Sequence, residues 1–129
     1  MDVQLFDVAA FHSEKASAVL NIGTAYQTII TMTTPSLPAG EYLISYSYEL
    51  NFNGQKNQPA ISQLIGDFVG SEFSDSIGDN DIGDKNRAYA FPKTLTAGVY
   101  TLGIQMKKSA QFSAQLDVDF VDVMIQRVG

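Results

Sequence analysis

The chain of 129 residues has no cysteine, no tryptophan, one histidine, four prolines and only eight basic residues. Without cysteine there is no disulfide framework, no thiol nucleophile and no thiolate zinc site. The lone His12 stands beside Ser13 and Glu14, but no nucleophile elbow, phosphate loop or His-rich metal motif accompanies it, so it reads as a surface or loop histidine and no enzyme is expected. Eight basic residues against 14 acidic ones give a net charge of −6. That balance argues against nucleic-acid binding, which needs clustered Lys and Arg. The one adjacent basic pair, Lys107-Lys108, reads as a strand-end turn. No apolar run approaches the ~18 residues of a membrane span, and Met1 to Asp7 lacks the basic and apolar regions of a signal peptide.

What the chain does have is an eight-residue pattern used twice. Leu37-Pro-Ala-Gly-Glu-Tyr-Leu-Ile44 and Leu95-Thr-Ala-Gly-Val-Tyr-Thr-Leu102 share Leu-x-Ala-Gly-x-Tyr-x-aliphatic. Each opens an alternating run. Tyr42, Ile44, Tyr46, Tyr48, Leu50 and Phe52 share one parity, opposite Glu41, Ser45, Ser47, Glu49 and Asn51; Leu43 breaks the pattern. Tyr100, Leu102, Ile104 and Met106 repeat it. A period of two is the mark of a half-buried strand. The Ala-Gly pair predicts a corner with φ > 0 at Gly40 and Gly98, and valine at either position is expected to cost folding. Two such corners suit two Greek keys building one sandwich.

Taken in order, Val3 and Leu5 give way to Phe6 and Val8 in a bulged first strand, and Ala25 to Thr33 is β-branched and strand-like. Glu41 to Phe52 is the longest strand, and Asn53-Gly54 closes it with a dipeptide suited to a type I′ hairpin. Ala60 to Gly70 has apolar residues on both parities, consistent with burial on two faces or a bulge at Gly66. Arg87 to Leu95 carries Tyr89, Phe91 and Leu95 on one parity, and Pro92 places it at a sheet edge or a bend. Phe112 to Gln115 reads as a short strand, and Leu116 to Val128 as a long closing one. In that last strand Leu116, Val118 and Phe120 are succeeded by Val121, Val123 and Ile125, a change of phase that predicts a bulge between Phe120 and Val121. The expectation is an all-β fold, an antiparallel jelly-roll-like β-sandwich of about eight strands, with residues 1–129 forming one domain.

Candidate chemistry is sparse. Asp67 to Asp84 is acidic, and Ile77-Gly-Asp-Asn80 is echoed by Ile82-Gly-Asp-Lys85. Asp79, Asp81 and Asp84 offer hard oxygen ligands for Ca²⁺, but the EF-hand pattern fails because Gly83 and Ala90 occupy its fifth and twelfth positions. The stretch therefore reads as a solvated acidic loop, with no metal or other cofactor expected. Asp117 and Asp119 resemble a glycosidase pair in spacing, but alternation turns them outward together, as an exposed polar face does. Six Tyr and eight Phe supply material for a sugar platform. Most, including Tyr42, Tyr46, Tyr48, Phe52, Tyr100 and Phe120, fall at core parity.

The twin corners, with a closing Asp117-Val-Asp-Phe-Val-Asp-Val-Met-Ile125 strand that leads to Arg127-Val-Gly129, resemble small jelly-roll proteins of tailed-phage virions, in particular capsid decoration or cement proteins. The pattern is also similar to β-sandwich carbohydrate-binding modules, whose stacking aromatics and calcium ligands have no matching residues here. The first resemblance implies a non-enzymatic structural protein that is made in the host cytoplasm and becomes part of the virion. It would bind the major capsid protein or another virion protein as a homo-oligomer, with no nucleic-acid or membrane partner. The second implies a carbohydrate- or receptor-binding module.

Overall fold

The computed structural model describes residues 11–53, 59–76, 82–110 and 115–129, with the backbone alone at residues 11, 12, 14, 52, 53, 59, 75, 76 and 82–85. The expected strand at Val3 to Val8 and most of that at Phe112 to Gln115 lie outside these residues; Gln115 itself is not in a strand. Eight strands follow in order: β1 (Phe11–Ala16), β2 (Gln27–Thr33), β3 (Gly40–Asn53), β4 (Pro59–Gly66), β5 (Glu72–Ser76), β6 (Ile82–Leu95), β7 (Thr101–Lys108) and β8 (Asp117–Arg127). They form two antiparallel sheets, β1-β8-β3-β6 and β2-β7-β4-β5. Consecutive strands alternate between the two sheets except β4 and β5, which pair with each other, and this is the strand order of a jelly roll.

Alternation decides which residues form the core. Tyr42, Ile44, Tyr46, Tyr48 and Leu50 of β3, Leu102, Ile104 and Met106 of β7, and Val118, Val121, Val123 and Ile125 of β8 are all buried between the sheets. The packing includes one polar tie. Tyr46 and Tyr48 reach from β3 to the opposite sheet, where both hydroxyls lie at hydrogen-bond distance from Oγ of buried Ser62, at 3.1 and 3.0 Å. Phe73 of β5 stacks on Tyr89 of β6 with ring centroids 4.1 Å apart, joining one edge strand of each sheet. Pro92 does lie on an edge, since β6 ends its sheet, where a missing backbone donor is tolerated.

The two Leu-x-Ala-Gly-x-Tyr units turn out to be one device used twice and joined to itself. Tyr42 donates its hydroxyl proton to the carbonyl of Pro38 at 2.7 Å, and Tyr100 donates to the carbonyl of Thr96 at 2.6 Å. In both units the acceptor is the second residue of the motif. This is the logic of a tyrosine corner, in which a side chain fastens the backbone just upstream of its own strand. The units then pair with each other: Leu37 N–H donates to Gly98 O at 2.8 Å and Gly98 N–H to Leu37 O at 3.0 Å. The expectation of φ > 0 at the corner glycines is not met, because Gly66 is the described glycine with that conformation. The tyrosine bond, and not a left-handed residue, holds the turn. Gly40 is confined for another reason: a Cβ there would stand 2.6 Å from Arg127 Nε and 2.7 Å from Gly129 O, whereas one at Gly98 would meet nothing closer than 3.9 Å.

Four further expectations need correction. Asn53-Gly54 does not join a hairpin, because β3 pairs with β6 and β8 while β4 belongs to the other sheet; Gly54 itself is outside the described residues. The acidic stretch is not one loop, since it includes β5 and the start of β6. Residues 72–76 alternate only once around Phe73, too short a signal to register, and pairing with β4 makes them a strand. Lys107 and Lys108 belong to β7 rather than a turn, and the Lys107 ammonium sits 4.4 Å from the centre of the Tyr26 ring. His12 lies in strand β1, opposite Ile125, and not in a loop.

Candidate interaction face

The predicted change of phase in β8 is a bulge. On β3, Ser47 pairs with Asp122 and Glu49 with Asp119, so Tyr48 alone faces both Phe120 and Val121. Two residues against one is the definition of a β-bulge. It leaves Val121 1% exposed and Phe120 71% exposed. The assignment of Phe120 to the core is therefore overturned: the bulge that restores inward packing for Val121, Val123 and Ile125 turns the preceding ring out to solvent. Phe120 has φ 49°, the left-handed region that bulky residues avoid. Its N–H donates to Asp119 Oδ1 at 2.8 Å, which holds the kink. Backbone strain of this kind persists only where the surroundings enforce it, and it concentrates at functional positions.

Around the ring, the outward positions of β3 and β6 are small. Ser45 and Ser47 of β3 are flanked by Ala88 and Ala90 of β6 and by Asp122 and Met124 of β8. Three open depressions result. One of about 310 Å³ lies between Phe120 and Ser47, Asn86, Arg87 and Ala88. A second, of about 460 Å³, lies on the other flank of Phe120 against Lys15, Ser47, Asp119 and Asp122. A third, of about 180 Å³, is floored by Ser45, Ser47, Ala88, Asp122 and Met124. Ser47 lines all three, so they form one trough along the outer face of the β1-β8-β3-β6 sheet, with Phe120 standing in it.

The polar groups here are unevenly satisfied. Lys15 Nζ pairs with Asp122 Oδ2 at 2.8 Å, the lysine being 75% and the aspartate 28% exposed. Such a surface pair adds little stability. Asp122 Oδ1 is buried and has no hydrogen-bond partner among the described residues. Asp117 Oδ1, by contrast, accepts from the Asn21 backbone N–H and from Gln115 Nε2, both at 2.9 Å. Asp117 and Asp119 therefore hold backbone in place, which answers the glycosidase-like spacing with a structural use.

Asp79 and Asp81 lie outside the described residues, and for Asp84 the backbone alone is described, opposite Asn51. Among the described residues no group of three or more His, Asp or Glu side chains is placed to hold a metal ion. No helix among them is long and apolar enough to cross a membrane.

No family model matches the chain, and no curated protein matches it in sequence. Solved structures match in fold. A cyclase from Fischerella sp. TAU superposes with a TM-score of 0.54 at 11% identity, covering 92% of this chain and 75% of that one. The infectious bursal disease virus, Gx strain, matches with a TM-score of 0.50 at 14% identity over 92% of this chain. The present chain spans 32% of that viral chain. A carbohydrate-binding module from Cellvibrio mixtus lichenase 5A matches with a TM-score of 0.47 at 13% identity, covering 94% of this chain and 89% of that one. The likenesses to the cyclase and to the virus show the fold alone.

Proposed function

We propose that this chain is a non-enzymatic virion structural protein, a capsid decoration or cement protein that attaches to the head shell through protein contacts. The observation that carries this reading is Phe120. A phenylalanine ring 71% exposed on left-handed backbone is a liability in an isolated domain and an asset in one that docks. A ring in a small-residue trough can be covered by a partner, and many weak contacts of one kind add up on a shell presenting many equivalent sites. The resemblance of the twin corners and closing strand to tailed-phage decoration proteins, and a fold shared with a virus structure, favour the virion setting. The test is an antibody to the protein imaged by electron microscopy on virus particles from the culture that makes it. Label over the whole head is expected; label confined to tails, or absent from particles, ends the reading.

A second reading, a carbohydrate-binding module, is favoured by the hydrogen-bonding groups of Ser47, Asn86 and Asp119 close to the exposed ring. A glycan array separates the two, since docking on protein predicts no specific sugar.

A further inference from the structure

We propose that the face docking on the head shell has a second apolar anchor, Leu20, and that it receives a basic segment of the shell protein, whose lysine or arginine meets Asp117 and Asp119 between Leu20 and Phe120. This rests on the reading of that face as the attachment surface and names the chemistry of what it meets.

The second anchor comes from the segment that follows β1. Ala16 stands opposite Val121, and the bridge between Val19 and Val118 continues the same register beyond the strand. In that register Ser17 lies beside Phe120, Ala18 beside Asp119 and Leu20 beside Asp117. Val19 packs on the core, and Leu20, the next residue, is 63% exposed. Three residues of strand separate its level from that of Phe120, a distance of about 10 Å. The exposed residues between them, Ser17 and Ala18, are too small to hide either side chain.

Both anchors are held firmly. Val19 and Val118 exchange backbone hydrogen bonds of 2.9 Å in each direction, Ile22 N–H donates to Leu116 O at 2.7 Å, and Asn21 N–H donates to Asp117 Oδ1 at 2.9 Å. Asn21, at φ 58°, and Phe120, at φ 49°, are the non-glycine residues with left-handed backbone among those described. Beside each bend one residue packs inward at 1% exposure, Ile22 or Val121, while Leu20 and Phe120 are left outside. Side chains preset in this way lose little freedom when a partner covers them. An exposed apolar patch rimmed by polar groups marks a protein contact.

Charge defines the partner. Asp117 and Asp119 lie between the anchors and are partly exposed. Each commits Oδ1 to neutral N–H groups, Asp117 to those of Asn21 and Gln115 and Asp119 to that of Phe120. Among the described residues no lysine or arginine pairs with either. Lys15 is held by Asp122, and Arg87 lies on the opposite flank of Phe120. Two uncompensated carboxylates on a chain of net charge −6 repel an acidic surface, a second copy included, and attract a cationic one. Lysine and arginine, with an apolar stem and a charged head, suit both the anchors and the carboxylates.

Co-sedimentation of the purified chain with particles grown without it tests the proposal, in salt from about 50 to about 500 mM. Wild type is expected to bind, and to bind more weakly as salt rises. Leu20→Ser should weaken binding about ten-fold, in the same direction as Phe120→Ala. Val69→Ser and Val99→Ser, at similarly exposed positions in the turn after β4 and in the second corner, should bind as wild type. Asp117→Asn with Asp119→Asn keeps an oxygen for each N–H and removes both charges; it should bind about five-fold more weakly at the low end of the range and match wild type at the high end. Circular dichroism should show every variant folded, since all the positions are at least partly exposed. Loss of binding in Phe120→Ala with Leu20→Ser unchanged, or wild-type binding indifferent to salt, overturns the inference and keeps the decoration reading. A wild-type chain that never sediments with particles overturns both.

Discussion

Removing the two corner hydroxyls, one at a time and together, puts the reading of the repeat to a quantitative test. Tyr42→Phe and Tyr100→Phe delete the same bond in the same motif, at 2.7 and 2.6 Å, yet their surroundings differ. Tyr42 is 0% exposed, and burial raises the pKa of its phenol, a sign of a site poorly reached by water. Tyr100 is half-buried and its acceptor residue Thr96 is exposed, so water replaces the donor at the Thr96 carbonyl when the bond is lost. A net intramolecular hydrogen bond contributes about 1 kcal/mol, and more when its loss strands a buried group. Tyr42→Phe should therefore cost about 1–2 kcal/mol and Tyr100→Phe about 0.5 kcal/mol. In a domain of this size the first corresponds to a fall in Tm of roughly 4–8 °C. Because Leu37 and Gly98 tie the two corners by a pair of backbone bonds, the double variant should depart from additivity, by about 0.5 kcal/mol or more. Urea unfolding followed by circular dichroism supplies all three values. If Tyr100→Phe costs as much as Tyr42→Phe, or if Tyr42→Phe lies within about 0.3 kcal/mol of wild type, the corners are not held as argued.

The glycines of the same motif should diverge as well: Gly40→Ala is expected to cost about 1–3 kcal/mol by crowding Arg127 and Gly129, and Gly98→Ala to be neutral within about 0.5 kcal/mol, as read by urea midpoints. Ser62→Val removes the hydroxyl shared by Tyr46 and Tyr48 and adds bulk at a site 0% exposed, so a loss of about 2–4 kcal/mol is expected, and a neutral outcome would show the polar tie to be dispensable. Phe120→Gly should exceed Phe120→Ala in monomer stability by about 1 kcal/mol, because only glycine relieves the positive φ; equal melting curves at low concentration would remove strain from the argument. Burial raises the pKa of Tyr42, and burial with the hydrogen bond to Glu72 raises that of Tyr26. Both phenols hold their protons more tightly when folded, so their contribution is complete below the unfolded tyrosine pKa of about 10 and lost as pH climbs above it. Urea midpoints should fall above about pH 10, and less steeply in Tyr42→Phe.

Much of the sandwich was legible because alternation is a direct image of a sheet with one wet face. Tyr42 to Leu50 and Leu102 to Met106 lie where their parity puts them, and the phase change at Phe120 and Val121 located the bulge to the residue. The consequence of that bulge was not legible. Parity counts positions along a strand, and a bulge reverses the count, so the ring assigned to the core became the exposed one. The positive φ at Phe120 and the overlap of Ser47, Ala88 and Asp122 beneath it depend on three strands distant in sequence. Residues 72–76 were missed for a related reason, since a strand with one large apolar residue owes its form to its neighbour and not to its own pattern. Asn53-Gly54 has the composition of a tight hairpin, but composition does not say whether the next strand returns to the same sheet.

The place of β8 has a bearing on how the molecule folds. It lies between β1 and β3 and supplies Val118, Val121, Val123 and Ile125 to the core. Among the described strands β1 pairs with β8 alone, Phe11 opposite Gln126, so this sheet cannot close from contacts local in sequence. A chain in which β8 has not yet docked presents open edges on β1 and β3, the kind of exposed strand that is prone to aggregate.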